Sequence, residues 1–297
     1  MSPKNNKATI RYGIGELYGH DFSKLPSDQI RKLSKAVFKS QPCPFRGGMC
    51  NKKGGVCSLR QYSKTGDTIT PLEDGSLTAT CPSRFYDSGT VLHWVGKTLI
   101  DADSPVVLTE LPFLMTAPAD TSKSSPSAVG KIDMVLVHPD TKDLRWCALE
   151  MQAVYFSGPG MTQEFTAMKT WDKPTIPFPK SIRRPDFRSS GPKRLMPQLQ
   201  IKVPTISRWG KKMAVIVDLP FWRSLGSITE VESVSNCDIA WFVVKYEQEN
   251  GRFVLKTGTL HLTTLDRAVE GLTGGKPTSL TAFEKTLRAK LSIAEPV

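Results

Sequence analysis

The stretch that decides the fold lies between residues 130 and 153. It reads GKIDMVLV at 130–137 and, after a polar segment, ALEMQA at 148–153. Two apolar, β-prone runs around a polar turn predict a β-hairpin. Side chains alternate along a strand, so Glu150 and Gln152 share one face. A turn centred just after Thr141 places Asp133 opposite or next to Glu150, and this predicts two carboxylates within reach of one divalent cation.

A second acidic residue, Asp140, also precedes Glu150 and follows a proline. In the same register it lies seven residues nearer the turn than Asp133, which is about 23 Å at about 3.3 Å per residue. That separation is too long for a shared metal, so Asp133 is the predicted partner of Glu150. The alternative is that both are ordinary exposed residues of a half-polar hairpin. The apolar neighbours on both strands argue against exposure, and buried carboxylates need a compensating cation.

Cysteines cluster upstream of the hairpin. Four of the six fall within 39 residues, in a glycine-rich segment with little periodicity: Cys43, Cys50, Cys57 and Cys81. Four thiolates suit zinc or a single iron, and a saturated thiolate shell indicates a structural role. The spacing is not that of the common CxxC modules, so unpaired structural thiols are the alternative. Cys147 and Cys237 lie in apolar strand patterns and are predicted to be small core residues.

The positive charge is concentrated in two segments. The chain of 297 residues has a formal net charge of +12, and residues 29–66 and 165–217 contribute +9 and +10 of it. Such concentration suits a phosphate backbone, because each neutralised phosphate releases counterions. The alternative is that these basic residues lie on exposed faces and only keep the protein soluble. A Pro-rich stretch, predicted to be a loop or arm, carries the candidate DNA contacts Arg183, Arg184, Arg188, Lys193 and Arg194.

The remaining patterns set the architecture and exclude several classes of protein. Short buried strands and amphipathic helices over 27–39 and 281–292 predict an α/β protein, with a central mixed β-sheet flanked by helices. The predicted division is an N-terminal helix and four-cysteine module over 1–90 and a catalytic domain over 91–297, with DNA-recognition insertions at about 160–212. No apolar run is long enough for a membrane span, and no nucleotide-binding loop is present. The N-terminus lacks a secretory apolar region, which favours a cytoplasmic protein.

The D…ExQ pattern and the cysteine cluster, which opens CPFRGGMC at 43–50, together resemble one family. It is the NotI-like type II restriction endonucleases, which have a PD-(D/E)xK nuclease core and an N-terminal iron-binding cysteine module. The resemblance implies Mg²⁺ held by Asp133 and Glu150, with Gln152 in the place of the usual lysine. A second metal or a neighbouring base, such as Lys131, would then supply the missing charge. Glu110 is a further candidate acidic ligand, expected on an upstream helix.

The resemblance also implies a substrate and an assembly. Double-stranded DNA would be cut at a GC-rich palindrome to give 5′-phosphate and 3′-hydroxyl ends, by a homodimer in the bacterial cytoplasm as part of a restriction-modification system. It favours iron over zinc at the cysteines. Two other hypotheses stay open at this point. One is a repair or junction nuclease that recognises DNA shape, and the other is a non-catalytic nucleic-acid-binding protein with a four-cysteine module.

Overall fold

The computed structural model describes residues 8–72, 77–115, 128–140, 142–274 and 278–291. The strands are β1 Thr9–Leu17, β2 His20–Asp21, β3 Val56–Thr65, β4 Thr68–Pro71, β5 Thr78–Ala79, β6 Val106–Met115, β7 Ala128–Val137, β8 Trp146–Met151, β9 Tyr155–Ser157, β10 Arg184–Asp186, β11 Met213–Asp218, β12 Ile239–Glu249 and β13 Arg252–Thr263. The α-helices are α1 Ser27–Ser34, α2 Thr90–Ile100, α3 Thr162–Met168, α4 Phe187–Ser190, α5 Met196–Arg208, α6 Leu219–Arg223, α7 Leu265–Thr273 and α8 Leu280–Leu291.

A six-stranded sheet forms the centre of the fold. Its strand order is β13-β12-β11-β8-β7-β6. Strand β11 runs parallel to both neighbours, β8 and β12, whereas the outer pairs are antiparallel. Every residue of β11 is buried, as expected for a parallel strand that is covered on both faces. The α/β class with a mixed central sheet, predicted from the sequence, is confirmed.

Helices cover the two faces of this sheet. Alternate residues of β11 point to opposite sides, so Ile216 packs in the core that includes α2, and Val215 packs in the core that includes α5 and α7. Leu199 and Ile206 of α5 are fully buried against that second side. The packing presses α5 against the same face of the sheet to which Glu150 points.

A smaller antiparallel sheet is built from the N-terminal part of the chain. Its order is β2-β1-β3-β4, and β5 pairs with β3. Its own core includes Leu17, Ile30 of α1 and Tyr62. Met168 at the end of α3 belongs to the same core, although α3 is distant in sequence. The predicted division of the chain near residue 90 stays a prediction.

A buried ionic cluster joins the small sheet to the central one. The Arg84 guanidinium donates to Glu16 Oε2 at 2.9 Å and to Asp87 Oδ2 at 3.1 Å. It also donates to the Phe253 carbonyl of β13 at 3.0 Å and lies over the Tyr246 ring of β12 at 4.8 Å. Arg84 and Glu16 have no exposed side-chain surface, so their charges must be paired within the protein.

Two elements differ from their predictions. The helix predicted over 27–39 ends at Ser34. The Pro-rich stretch predicted as a loop instead forms β10, α4 and a helical turn over Gly191–Leu195 that leads into α5. It is helical because the Asp186 carboxylate caps its start by accepting from the Ser189 amide at 2.9 Å. The predicted hairpin turn and the predicted last helical residue fall on positions 141 and 292, which lie outside the described residues.

Within the described ranges, no helix is long and apolar enough to cross a membrane.

Candidate active site

The hairpin of β7 and β8 brings the two predicted carboxylates side by side. Met134 pairs with Leu149 and Val135 with Ala148, so the next position in the register sets Asp133 opposite Glu150. This is the register that the turn position predicts. Glu150 shares the face of Ala148, which is the face covered by α5.

A lysine that is not among the predicted site residues stands between these carboxylates. Lys202 Nζ on α5 donates to Glu150 Oε2 at 2.9 Å and lies 3.4 Å from Asp133 Oδ2. The side chains of Lys202 and Glu150 are only 4% and 12% exposed, whereas that of Asp133 is 58% exposed. The three groups therefore form a carboxylate–ammonium–carboxylate cluster that is buried on the side of α5 and open at Asp133.

The environment of Glu150 shifts its ionisation into the neutral pH range. Burial raises the pKa of Glu150 to about 7, the Lys202 ammonium opposes this rise, and the neighbouring Asp133 charge adds to it. A carboxyl with a pKa near neutrality, set by burial and two specific charge partners in a cleft, is the pattern expected of a functional site.

Gln152 lies just beyond the end of β8, on the same cleft. Its backbone amide donates to the Ile216 carbonyl at 3.0 Å, which continues the pairing with β11. Its side-chain amide donates to the Ala153 carbonyl. The cleft has a volume of about 460 Å³, and Asp133, Glu150 and Gln152 are among the residues that line it.

Cations line this cleft together with the carboxylates. Lys193 and Arg194 are exposed, and the Arg194 guanidinium stacks 3.9 Å above the ring of Tyr155. Lys52 enters from the cysteine-rich segment, with its ammonium anchored on the Thr80 carbonyl at 2.8 Å. A pocket lined by both carboxylates and cations suits a phosphodiester bridged to the carboxylates by a metal ion.

The other predicted DNA contacts divide into two groups. Arg184 and Arg188 are exposed on β10 and α4, but they do not line the cleft. Arg183 is buried and pairs with Glu164 at 2.7 Å, and it also donates to the carbonyls of Pro159 and Gly160. Its assignment as a DNA contact stays a prediction, and in this structure its guanidinium is engaged inside the protein.

The pKa of Glu164 reflects this internal pairing. Burial by itself would raise that pKa, but the hydrogen bonds from Arg183 and from the Ser181 amide outweigh burial and lower it. The pair holds the segment before β10 against α3.

Glu110 lies on a strand and not on the predicted upstream helix. It belongs to β6, the edge strand next to β7, where its φ is 59°. The run VVLTELPFLM is rich in β-favouring residues and pairs with β7, which explains the strand. Glu110 is exposed and contacts Lys131 Nζ at 3.2 Å. Lys131, the residue expected to supply the positive charge that Gln152 lacks, is thereby paired with Glu110. The ammonium that contacts Glu150 belongs to Lys202.

The four clustered cysteines lie near one another in pairs, with Cys50 close to Cys43 and Cys81, and Cys57 close to Cys81. The Cys43 amide donates to the Gly48 carbonyl, and the Cys50 amide donates to the Gln41 carbonyl. These two hydrogen bonds close a tight hairpin. Cys57 is the second residue of β3, and Cys81 follows β5, which pairs with β3. Burial raises the pKa of Cys57 well above the usual thiol value, and the nearby Cys81 contributes to this rise.

A metal at these cysteines is supported by donor chemistry and not by geometry. The thiol set suits zinc or iron, and a bound cation would compensate thiolates that burial disfavours. Across the described part of the chain, however, no three His, Cys, Asp or Glu side chains are arranged to hold one ion. The iron or zinc site therefore stays a proposal.

The sequence does contain a signal that Lys202 is buried and paired. Leu195, Leu199 and Ile206 are fully buried along one helical stripe, and Lys202 occupies the remaining position of that stripe. A lysine on the apolar face of an amphipathic helix needs a buried partner, since an unpaired buried ammonium is costly.

The fold and this cleft define an α/β protein with a carboxylate–lysine site, and one comparison identifies its class. The family model described as Restriction endonuclease NotI matches residues 28–256, which is more than half of the chain. The chain is thus a restriction endonuclease, a site-specific nuclease that acts on DNA. It belongs to the NotI restriction endonuclease family. A comparison with curated proteins finds no significant match.

Proposed function

We propose that this chain is a type II enzyme with a PD-(D/E)xK active site, in which Mg²⁺-dependent hydrolysis of double-stranded DNA at a GC-rich palindrome leaves 5′-phosphate and 3′-hydroxyl ends. The observation that carries the proposal is the contact of the buried Lys202 ammonium with Asp133 and Glu150, two carboxylates that line one cleft of a NotI-family chain. The end chemistry and the recognition sequence follow from the resemblance to that family.

Asp133 and Glu150 are the groups that would hold the magnesium ion. Carboxylate oxygens are the ligands that Mg²⁺ prefers, and protein sites commonly supply one or two carboxylates and leave other positions to water and substrate phosphate. Two carboxylates, one exposed and one buried, fit that requirement. When bound, the ion supplies Lewis-acid stabilisation of the phosphoryl oxygen and a bound water of lowered pKa.

The side chains of the protein have distinct roles in this proposal. The Lys202 ammonium opposes the burial effect on Glu150, and thereby keeps a larger fraction of that carboxyl ionised at neutral pH. It also brings the positive charge that Gln152 lacks. Gln152 can donate to a phosphate oxygen or orient a water. Glu110 is left out, because it contacts Lys131 on an exposed edge strand.

Binding of the DNA backbone is assigned to the cations around the cleft. Lys193, Arg194 and Lys52 stand nearest the carboxylates, and Arg184 and Arg188 extend the positive surface. They would neutralise backbone phosphates on both sides of the scissile bond. A palindromic site further suggests a homodimer, since a twofold pair presents one centre to each strand. Iron or zinc at the four cysteines completes the proposal, and elemental analysis of the purified chain distinguishes the two metals.

The nuclease proposal is tested by Glu150→Ala. The purified chain, with Mg²⁺ and a plasmid of known sequence, should give fragments whose ends map to one sequence. Glu150→Ala should abolish cleavage and leave specific DNA binding measurable. Glu249→Ala, which removes an exposed carboxylate paired with Lys256, is the matched control and should cut normally. Cleavage by Glu150→Ala would refute the site, and cutting without sequence preference would favour a structure-selective nuclease.

A further inference from the structure

The C-terminal helix α8 carries an apolar stripe that the rest of the described chain leaves exposed. Leu280, Phe283, Leu287 and Leu291 recur at intervals of three, four and four residues, so they fall on one face of the helix. Their exposed fractions are 72%, 52%, 45% and 71%, and none of the residues in α8 is buried. A helix with this pattern normally buries such a face.

The length of α8 strengthens this point. It has 12 residues, and isolated helices of this length are marginal in water because most helical stability comes from packing of the apolar face. Ser279 provides a start signal, since its side chain accepts from the Ala282 amide at 3.2 Å. One capped end does not replace the packing of an apolar face. The helix also lies beyond residues 28–256, so the family match does not account for it.

The charges beside the stripe identify the partner. Glu284 and Arg288 lie on the same flank of the stripe, one turn apart, whereas Lys285 lies on the opposite face of the helix. When two copies of a helix pair antiparallel about a twofold axis, the same flank of each helix meets. Centred on the stripe, that pairing brings Glu284 of one copy close to Arg288 of the other, and the contact occurs twice. The flank is therefore complementary to itself.

We propose that α8 is a self-association element, in which two copies of this chain pair antiparallel through the stripe of Leu280, Phe283, Leu287 and Leu291. This names the surface for the homodimer of the proposed function and uses no residue of the nuclease site. Two three-turn helices bury little area, at or below the low end of the range for specific interfaces, so the association is weak and depends on concentration.

The first test removes the apolar contact. Sedimentation velocity of the full chain, without DNA and over a range of concentrations, should show a monomer–dimer equilibrium. Leu287→Glu should shift it to monomer, whereas Lys285→Glu, the same new side chain on the opposite face, should leave it unchanged. The fold should survive both changes, because both sites are exposed, and urea unfolding checks this. A wild-type chain that stays monomeric, or a Leu287→Glu variant that still dimerises, overturns the proposal.

The second test exploits the twofold charge pairing. Glu284→Arg alone and Arg288→Glu alone each place like charges opposite one another, so each variant should self-associate about tenfold more weakly. An equimolar mixture of the two variants pairs opposite charges at both contacts and should restore association. A mixture no tighter than its components overturns the antiparallel arrangement.

These outcomes are separable from those of the nuclease proposal. Plasmid cleavage, with Glu150→Ala as its control, tests the active site. Failure of the α8 variants to change association, in a chain that cuts DNA at one sequence, overturns only the assignment of this surface.

Discussion

Replacing Lys202 by methionine removes the ammonium that stands 2.9 Å from Glu150 Oε2. Methionine is also long and unbranched, so it should pack beside Leu199 and Ile206 on the buried face of α5. Glu150 keeps its burial and its neighbour Asp133, but it loses the cation that opposes them. The pKa of Glu150 must therefore rise above its value of about 7.

The size of this rise follows from the contact that is lost. A buried hydrogen bond to a charged group contributes about 1.5–3 kcal/mol. At about 1.4 kcal/mol per pKa unit, this corresponds to a rise of about one to two units. At pH 7 the ionised fraction of Glu150 would fall from about one half to between about a tenth and a hundredth. With limiting Mg²⁺, cleavage at pH 7 should then slow by about 5- to 50-fold, because only the carboxylate binds the ion.

The sign of the pH dependence follows from the same reasoning. The ionised form of Glu150 is the active one, so a higher pKa moves the rise in activity to higher pH. Lys202→Met should lose most activity at pH 6–7 and recover much of it near pH 9. Raising Mg²⁺ should move the rise back toward lower pH in both proteins, since the cation competes with the proton.

The assay is the initial rate of plasmid cleavage against pH at two Mg²⁺ concentrations. Lys211→Met is the matched control, because Lys211 is only partly buried and its ammonium lies over the Trp146 ring, at the end of β8 away from Glu150. Urea unfolding verifies that both variants are folded. An equal loss of rate at every pH would refute the reasoning, as would a variant whose pH profile matches that of the wild type.

Three further predictions concern DNA binding and stability. Arg194→Ala should weaken DNA binding and reduce the slope of log K against log salt by about 0.9, measured by fluorescence anisotropy; an unchanged slope would remove Arg194 from the backbone contacts. Arg183→Met should lower the free energy of unfolding by about 3–5 kcal/mol in urea, because it leaves Glu164 without its buried partner; a loss confined to DNA binding would contradict this. Asp218→Ala should cost about 2–4 kcal/mol, since Asp218 caps α6 through the Phe221 amide at 2.9 Å and accepts from Ala79 of β5 at 2.7 Å; a change below about 1 kcal/mol would contradict it.

Local periodicity was sufficient to predict the hairpin of β7 and β8 and the register of its strands. The two apolar runs and the polar turn between them predict strands, and the alternation of side chains places Glu150 on one face. The register is set by the length of the turn, which is a local property of the chain. The structure agrees at Met134 and Leu149, and from there the position of Asp133 follows.

Contacts between distant segments were not predictable in this way. Lys202 is 52 residues from Glu150 in sequence, and their meeting depends on how α5 packs across the sheet. The burial of Arg183 depends on Glu164 of α3, and nothing in the Pro-rich stretch indicates that pairing. Glu110 lies on a strand because β6 pairs with β7, and that pairing joins segments whose contact the local sequence around Glu110 does not specify.

The sequence by itself determined the two carboxylates on one hairpin, the clustered cysteines and the uneven distribution of positive charge. Each of these depends on residue type and on spacing along a single segment. Only the tertiary structure decided which ammonium faces Glu150, which arginines line the cleft and which apolar stripe is left exposed on α8. Those outcomes depend on helix packing, because burial and charge pairing arise between elements whose relative positions no local pattern specifies.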